Sequence, residues 1–155
     1  MKAKSKNLDP CSLPGHLARR VQQLAVALFV QEVGDIGLTP VQYSALQTVC
    51  NHPGIDQKTL AATIGYDTST IAGVIDRLEA RGLLARQVSP ADRRAKLLTP
   101  TEEGTRTLAA VVPRMLQAQE RLLEPLAAAE RKEFMRMMRV VIEANAELST
   151  IPARD

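Results

Sequence analysis

Apolar residues follow helical spacing from position 13 onward. Five of them recur every three or four residues, which predicts a first amphipathic helix that ends near Gly34. These positions are Leu13, Leu17, Val21, Leu24 and Leu28. Residues 1–12 carry basic side chains and lack this spacing, so they are predicted to form a flexible basic tail.

A second helix is marked by its capping residues. Thr39 has the side chain of an N-cap, Pro40 stands in the first turn, and Gln42 is placed as the reciprocal capping partner. The sequence His-Pro-Gly at residues 52–54 is predicted to stop this helix.

Two shorter helices follow, joined by a tight connection. The third is predicted over residues 56–64, with Asp56 as its cap, and the fourth over about residues 68–81. Gly65 and Gly82 stand directly after them, where a left-handed residue favours the end of a helix. The short third helix therefore leads into the fourth through a turn of a few residues.

The hydrophobic period changes from helix to strand after the fourth helix. Residues 84–88 alternate, residues 89–92 have turn chemistry, and residues 95–98 return as a second strand, which predicts a β-hairpin. Two long helices complete the chain. The first is predicted to begin with Thr99 as its N-cap and to kink at Pro113, and the second covers about residues 127–148.

This order of elements predicts a mainly α fold with a small β-hairpin wing. A short helix that braces a second helix, followed by a hairpin, is typical of a winged helix-turn-helix. In such a fold, the second helix of the pair enters the major groove of DNA, and the hairpin reaches the adjacent backbone or minor groove.

Composition narrows the possible classes of protein. The 155 residues suffice for one domain, and aromatic residues make up only 3%, which argues against binding of single-stranded nucleic acid by base stacking. Two cysteines form neither a disulfide framework nor a zinc site. No apolar stretch is long enough for a membrane span, and the basic start lacks the apolar region of a signal peptide, so a reduced cytoplasmic protein without a membrane partner is expected.

Charge is concentrated in the predicted wing. The net charge of the chain is only +3, but residues 81–96 hold five basic side chains and a single acid, Asp92. The basic residues are Arg81, Arg86, Arg93, Arg94 and Lys96. Because phosphate attraction depends on local charge, this excess indicates double-stranded DNA as a partner.

Side chains suited to DNA contact also cluster on the third and fourth helices. Hydroxyl groups at the start of the fourth helix suit phosphates and base edges, a small residue permits close approach, and a later arginine suits a phosphate. Together with the wing, the candidate DNA contacts are Gln57, Lys58, Thr68, Ser69, Thr70, Gly73, Arg77, Arg86, Asp92, Arg93 and Arg94. Plain helix capping is the alternative role for the hydroxyl groups, and a solvated face is the alternative for the charges.

Several motifs resemble the MarR family (multiple antibiotic resistance regulators). The run Arg-Leu-Glu-Ala-Arg-Gly-Leu at 77–83 and the run Asp-Arg-Arg at 92–94 carry the resemblance most specifically, and it extends by motif over residues 38–104. It implies a homodimer whose helical dimerisation region comprises residues 13–36 and 100–150, around a DNA-binding lobe at 38–99. It also implies a repressor that a small ligand releases from a pseudo-palindromic operator.

The same resemblance implies roles for individual residues. Thr68, Ser69 and Thr70 match the groove-facing start of the recognition helix. Asp92 and Arg94 match a wing pair in which the acid orients an arginine, and Arg93 or Arg94 at the wing tip would enter the minor groove.

A ligand site is predicted beside the first and second helices. There the segment 13–20 is similar to that of family members that respond to aromatic acids in catabolic operons, and a guanidinium offers a bidentate seat for a carboxylate. The candidate residues are His16, Arg19, Arg20, Gln23 and Tyr43. A solvent or dimer-surface role is the alternative for those of the first helix.

Other functions are weighed against this one. Cys11 and Cys50 make a redox-switched regulator of the same fold an alternative. A reactive cysteine needs a lowered thiol pKa, and since the sequence gives no sign of one, a thiol without a role in regulation is favoured for both. A winged helix that binds protein is a further alternative, which the basic wing argues against. No glycine-rich phosphate loop, nucleophile elbow or metal-ligand cluster is present in the sequence, so neither an enzyme nor a cofactor is expected.

Overall fold

The computed structural model describes residues 9–150, and the first eight residues of the predicted tail lie outside that range. The described residues form six α-helices and three β-strands, which confirms a mainly α fold with a small β-sheet. In chain order the elements are α1 (Pro14–Val33), α2 (Pro40–Asn51), β1 (Ile55–Asp56), α3 (Gln57–Ile64), α4 (Thr68–Ala80), β2 (Leu84–Val88), β3 (Lys96–Pro100), α5 (Glu102–Leu123) and α6 (Ala128–Ala144). Short 3₁₀ segments lie at Pro10–Ser12, Gly34–Ile36 and Ala146–Thr150.

The predicted cap of α2 is confirmed. Gln42 donates its backbone N–H to the hydroxyl of Thr39 over 3.3 Å, and the backbone N–H of Thr39 donates to the side-chain oxygen of Gln42 over 3.0 Å. Gly65 and Gly82 adopt φ values of 73° and 71°, a left-handed conformation that glycine enters without steric cost.

The predicted start of α5 is wrong by two residues. Thr99 and Pro100 belong to β3, and the N-cap of α5 is Thr101, whose hydroxyl accepts the backbone N–H of Gly104 over 2.9 Å. The same hydroxyl donates to the carbonyl of Gly82 over 2.6 Å, so the cap also fastens α5 to the end of α4. The helix continues through Pro113 to Leu123.

The sheet has one strand more than the predicted hairpin. Strand β1 pairs with β3, with Ile55 opposite Leu98, and β3 pairs with β2 over five residues on each strand, which gives the order β1-β3-β2. The two-residue strand lies directly before α3. It therefore joins the helix-turn-helix to the wing through backbone hydrogen bonds.

The core fills the space between α2, α3, α4 and the sheet and extends to the end of α1 and the first half of α5. Its largest fully buried side chains are Leu46, Leu60, Ile71, Ile75, Leu78, Leu98, Val33, Val49 and Val111. Burial of an aliphatic side chain of this size contributes about 1.5–3 kcal/mol.

Helix α1 lies along α5, and two arginines of α5 hold its last turns. Arg114 bonds the carboxylate of Asp35 over 2.5 Å and the carbonyl of Glu32 over 3.2 Å, and Arg121 bonds the carboxylate of Glu32 over 2.5 Å. The hydrogen bond from Arg114 lowers the pKa of the Asp35 carboxyl below its ordinary value. These contacts fix where α1 ends.

Helix α6 buries none of its side chains within the described chain. Val140, Val141 and Ile142 are 51%, 63% and 68% exposed, and Leu17, Leu24 and Val30 of α1 are exposed by about half. Apolar faces of this extent on two long helices are typical of surfaces that another molecule covers.

The helices between residues 9 and 150 are short or polar by the standard of a membrane span. No single helix there is long and apolar enough to cross a membrane, although Pro14–Ile36 and Pro40–Asn51 have the length and composition as a pair bent by 72°.

Candidate nucleic-acid interface

The first turn of α4 is built around the carboxylate of Asp67. This side chain accepts the hydroxyls of Ser69 and Thr70 over 2.6 and 2.5 Å and the backbone N–H of Thr70 over 2.7 Å. These hydrogen bonds, led by that of Ser69, hold the pKa of the Asp67 carboxyl well below its usual range. The capping role weighed for the two hydroxyls is therefore present in the free protein, while all three hydroxyl residues of the turn remain exposed.

Helix α3 braces the start of α4. The side-chain amide of Gln57 donates to the carbonyl of Thr68 over 3.2 Å, so this candidate DNA contact also fixes the angle between the two helices. Lys58 beside it is exposed and forms no ion pair with any described residue.

Gly73 leaves open space on the outer face of α4. A Cβ built at this position meets no atom within 4 Å, so nothing in the described chain requires a glycine here. A glycine in a helix interior costs about 0.5–1 kcal/mol relative to alanine. The space above Gly73 is therefore open to another molecule.

Arg77 extends the same outer face. It lies one turn beyond Gly73, at a spacing of four residues, and its side chain is exposed. Its guanidinium forms no ion pair with the residues that the structure describes, which leaves it available to a phosphate.

The tip of the wing is ordered by short polar contacts. Ser89 donates its backbone N–H to the carbonyl of Ala95 over 2.9 Å, and Asp92 accepts the backbone N–H of Arg94 over 2.9 Å. Asp92 thus orients the backbone of Arg94. The MarR-family resemblance implies that the acid orients the arginine, and the contact seen here is to the main-chain N–H and not to the guanidinium. Arg93 and Arg94 are exposed and free of ion pairs among residues 9–150.

Two of the five basic residues counted in the wing are occupied elsewhere. Arg86 pairs with Asp76 and Glu79 of α4, and Arg81 donates to the carbonyls of Gly37 and Ile36 over 2.7 and 3.0 Å. The charge count of the sequence therefore overstates the free cations. Arg93, Arg94 and Lys96 are the three that remain without an ion pair in the described part of the chain.

Tyr66 was not singled out in the sequence, yet it lies beside the candidate contacts. It occupies the turn between α3 and α4 and is 41% exposed, whereas the rings of Phe29 and Tyr43 pack together with their centroids 5.9 Å apart. Its position directly before the N-cap Asp67, in the turn of a helix-turn-helix, is the feature of the sequence that could have marked it as a candidate DNA contact.

The predicted ligand residues do not form one cluster in the described chain. Arg19 lies 3.4 Å from a ring nitrogen of His16, and Arg20 lies 3.5 Å from the side-chain oxygen of Gln23, all on the outer surface of α1. Tyr43 instead packs against Phe29 and donates its hydroxyl to Gln47 over 3.4 Å. The rise of about 1.5 Å per residue places His16 about 20 Å from Phe29 along the helix.

The two thiols lie in different surroundings. Burial raises the pKa of the Cys50 thiol, which reduces the fraction of reactive thiolate, and Cys11 is exposed. In the described range 9–150, His, Cys, Asp and Glu side chains form no group of three that could hold a metal ion.

The family follows from comparison with known proteins. A model described as MarR family matches residues 36–95, and the repressor NicR of Pseudomonas putida is 33% identical over 153 residues, which covers 91% of this chain and 97% of NicR. This chain belongs to the MarR family. Its members are transcriptional regulators and not enzymes, which confirms the resemblance seen in the sequence.

Solved structures of MarR-family regulators share the fold. BpsR of Bordetella bronchiseptica, whose DNA binding is regulated by 6-hydroxynicotinic acid, superposes with a TM-score of 0.83 at 33% identity and covers 86% of this chain and 96% of BpsR. The repressor CouR of Rhodococcus jostii RHA1, bound to a 23-mer DNA duplex, gives a TM-score of 0.78 at 32% identity and covers 83% of this chain and 92% of CouR.

Proposed function

We propose that this MarR-family chain is a homodimeric repressor that binds a pseudo-palindromic operator and is released by a small aromatic acid. The observation that carries the DNA-binding part is the outer face of α4, where the hydroxyl of Ser69, the open space at Gly73 and the exposed side chain of Arg77 lie in one row beside the wing tip. Within residues 9–150, neither Arg77 nor the arginines of the wing tip form an ion pair. The complex of CouR with a DNA duplex supports the same partner.

The proposed DNA contacts are made by the exposed polar groups of α4 and the wing tip. Helix α4 enters the major groove with Thr68, Ser69 and Thr70 at its leading end, and the hydroxyls of Ser69 and Thr70 exchange the Asp67 carboxylate for phosphate oxygens or base edges. The wing tip places Arg93 or Arg94 in the adjacent minor groove. Arg86 is left out of this set because its guanidinium already faces two carboxylates.

Replacement of Arg94 by alanine is expected to weaken binding to every duplex sequence. Each lost phosphate contact reduces the slope of log affinity against log salt by about 0.9. Fluorescence anisotropy with a labelled duplex, measured over a series of potassium chloride concentrations, reads both quantities. Arg106→Ala is the matched control, because Arg106 lies on α5 and pairs with Glu103 over 3.2 Å.

An unchanged affinity and an unchanged salt slope in Arg94→Ala would remove the wing tip from the interface. Equal weakening by Arg94→Ala and Arg106→Ala would show a general effect of net charge. If the wild-type chain binds no duplex from a random pool, the alternative of a winged helix that binds protein is favoured.

The homodimer is proposed from the exposed apolar faces of α1 and α6. In the described chain α6 buries no residue, and residues such as Val141 and Leu24 remain more than half exposed. A second copy supplies the missing cover, with the regions 13–36 and 100–150 as the dimerisation part. Two copies of α4 then meet half-sites about one helical turn apart.

The effector is proposed to be an aromatic carboxylate. Arg19 and Arg20 on the exposed first half of α1 offer guanidinium groups, with His16 and Gln23 beside them, and the regulation of BpsR by 6-hydroxynicotinic acid supports this class of ligand. Participation of Tyr43, which packs against the far half of α1, stays a prediction.

Arg19→Ala and Arg20→Ala are expected to keep DNA binding and to lose release by the acid. A gel shift with 6-hydroxynicotinic acid and with benzoic acid as probes measures the release concentration, which we expect to rise at least about tenfold for the loss of a charge-assisted bidentate contact. Release by either acid at the wild-type concentration in both variants would place the carboxylate elsewhere. Release by peroxide that Cys11→Ser or Cys50→Ser abolishes would favour the redox-switched alternative.

A further inference from the structure

One guanidinium joins the wing to the recognition helix. Arg86 on β2 donates to the carboxylate of Glu79 over 2.7 Å and to that of Asp76, and its side chain is only 20% exposed. The two carboxylates belong to α4 and are 64% exposed at Asp76 and 39% at Glu79. A single cation therefore serves two anions that still face solvent.

Asp76 lies on the side of α4 that we propose to face DNA, and Glu79 lies on the flank of that side. Ser69, Gly73 and Asp76 follow one another at spacings of four and three residues, which places them in one row on a helix, and Glu79 stands one turn beyond Asp76. Two negative charges at the edge of this row would repel the phosphate backbone. The guanidinium of Arg86 reduces the net charge of the pair from −2 to −1.

We propose that Arg86 is a positioning residue for DNA binding, which halves the negative charge of the Asp76–Glu79 pair and fixes the wing against α4 without touching a phosphate itself. This inference rests on the proposed function, because it concerns the same interface. The planar guanidinium presents two donor nitrogens to two acids, an arrangement that the single ammonium of a lysine does not reproduce.

The proposal predicts a rescue that a phosphate contact would not show. Arg86→Gln exposes both acids next to the DNA and is expected to weaken binding at least about tenfold, since like charges across an interface are costly. When Asp76→Asn and Glu79→Gln are added to Arg86→Gln, the repulsion is gone. Affinity in this triple variant is then expected to return to within about threefold of wild type.

The experiment uses a fluorescent duplex that the full-length wild-type protein has selected from a random pool. Anisotropy titrations of wild type, Arg86→Gln and the triple variant are made over a potassium chloride series, and circular dichroism confirms that each protein is folded at the assay temperature. We expect the triple variant to show a salt slope at least as steep as that of wild type.

A triple variant that stays about tenfold weaker, with a salt slope reduced by about 0.9, would overturn the proposal and make Arg86 a phosphate contact. Unchanged affinity in Arg86→Gln would overturn it as well. If Arg86→Gln does not fold, the triple variant alone decides by the same two readouts. Failure of the proposed function is a separate result, because the wild-type protein would then select no duplex.

Discussion

Gly104→Ala is expected to destabilise the protein by about 3 kcal/mol, the upper part of the usual range for an overpacked site. A Cβ at this position would lie 2.0 Å from the carbonyl oxygen of Leu83 and 3.3 Å from the side chain of Leu46. The clash is with backbone, so no rotamer change relieves it, and the start of α5 must move. For a chain of this length, thermal unfolding should then occur about 10 °C lower.

Gly73→Ala is the matched control because it adds the same methyl group to a helix. Nothing lies within 4 Å of the added atom, so the free protein should gain about 0.5–1 kcal/mol from the better helix former. DNA affinity should fall in this variant, since the methyl group occupies the space that we assign to the groove. Equal melting temperatures for the two variants would contradict the close packing of Gly104 against Leu83.

Met138→Asp combined with Val141→Asp is expected to convert the proposed dimer to a monomer or to an insoluble chain. The two residues lie on one face of α6, and Val141 is 63% exposed in the single chain, so a carboxylate there has no protein partner until a second copy covers it. Burial of an unpaired charge costs several kcal/mol, more than a dimer interface tolerates at two positions.

Size-exclusion chromatography with light scattering measures the change of mass. Lys132→Asp with Arg139→Asp is the control, because these residues lie seven apart on the polar face of the same helix and receive the same two carboxylates, with a larger total change of net charge (four units against two). We expect the control pair to stay dimeric. A soluble dimer that binds DNA after the changes at Met138 and Val141 would place the dimer interface elsewhere.

Local chemistry explains which elements could be predicted from the sequence. The capping box of Thr39 and Gln42 and the left-handed glycines 65 and 82 act through residues close in the chain, so their patterns are visible before the fold is known. The first four helices and the hairpin occur in the predicted order. The MarR-family motifs lie within this same segment, so the function could also be predicted from the sequence.

Contacts between distant residues explain what the sequence did not predict. Strand β1 has two residues and exists through its pairing with β3, some forty positions later, so no local period marks it. The hydroxyls of Thr99 and Thr101 offer equal local caps for α5, and the choice is made by the carbonyl of Gly82, which accepts the hydroxyl of Thr101.

The candidate site shows the same division. The hydroxyls at the start of α4 and the exposed wing tip were predictable, because exposure follows from helical and hairpin periodicity. The hydrogen bonds of Arg81 and Arg86 were not predictable, because each guanidinium bonds a residue of another part of the fold. Arg81 donates to the carbonyl of Gly37, and Arg86 donates to the carboxylate of Glu79. A count of charges along the sequence does not separate free cations from bonded ones.

The short strand β1 also decides how the DNA-binding part can move. Its pairing with β3 joins the segment before α3 to the wing, Arg86 joins the wing to α4, and Gln57 joins α3 back to α4. These contacts close a ring within the lobe at 38–99. We therefore expect the lobe to turn as one rigid body about its attachments to α1 and α5, so that a small rotation there becomes a large displacement at the wing tip.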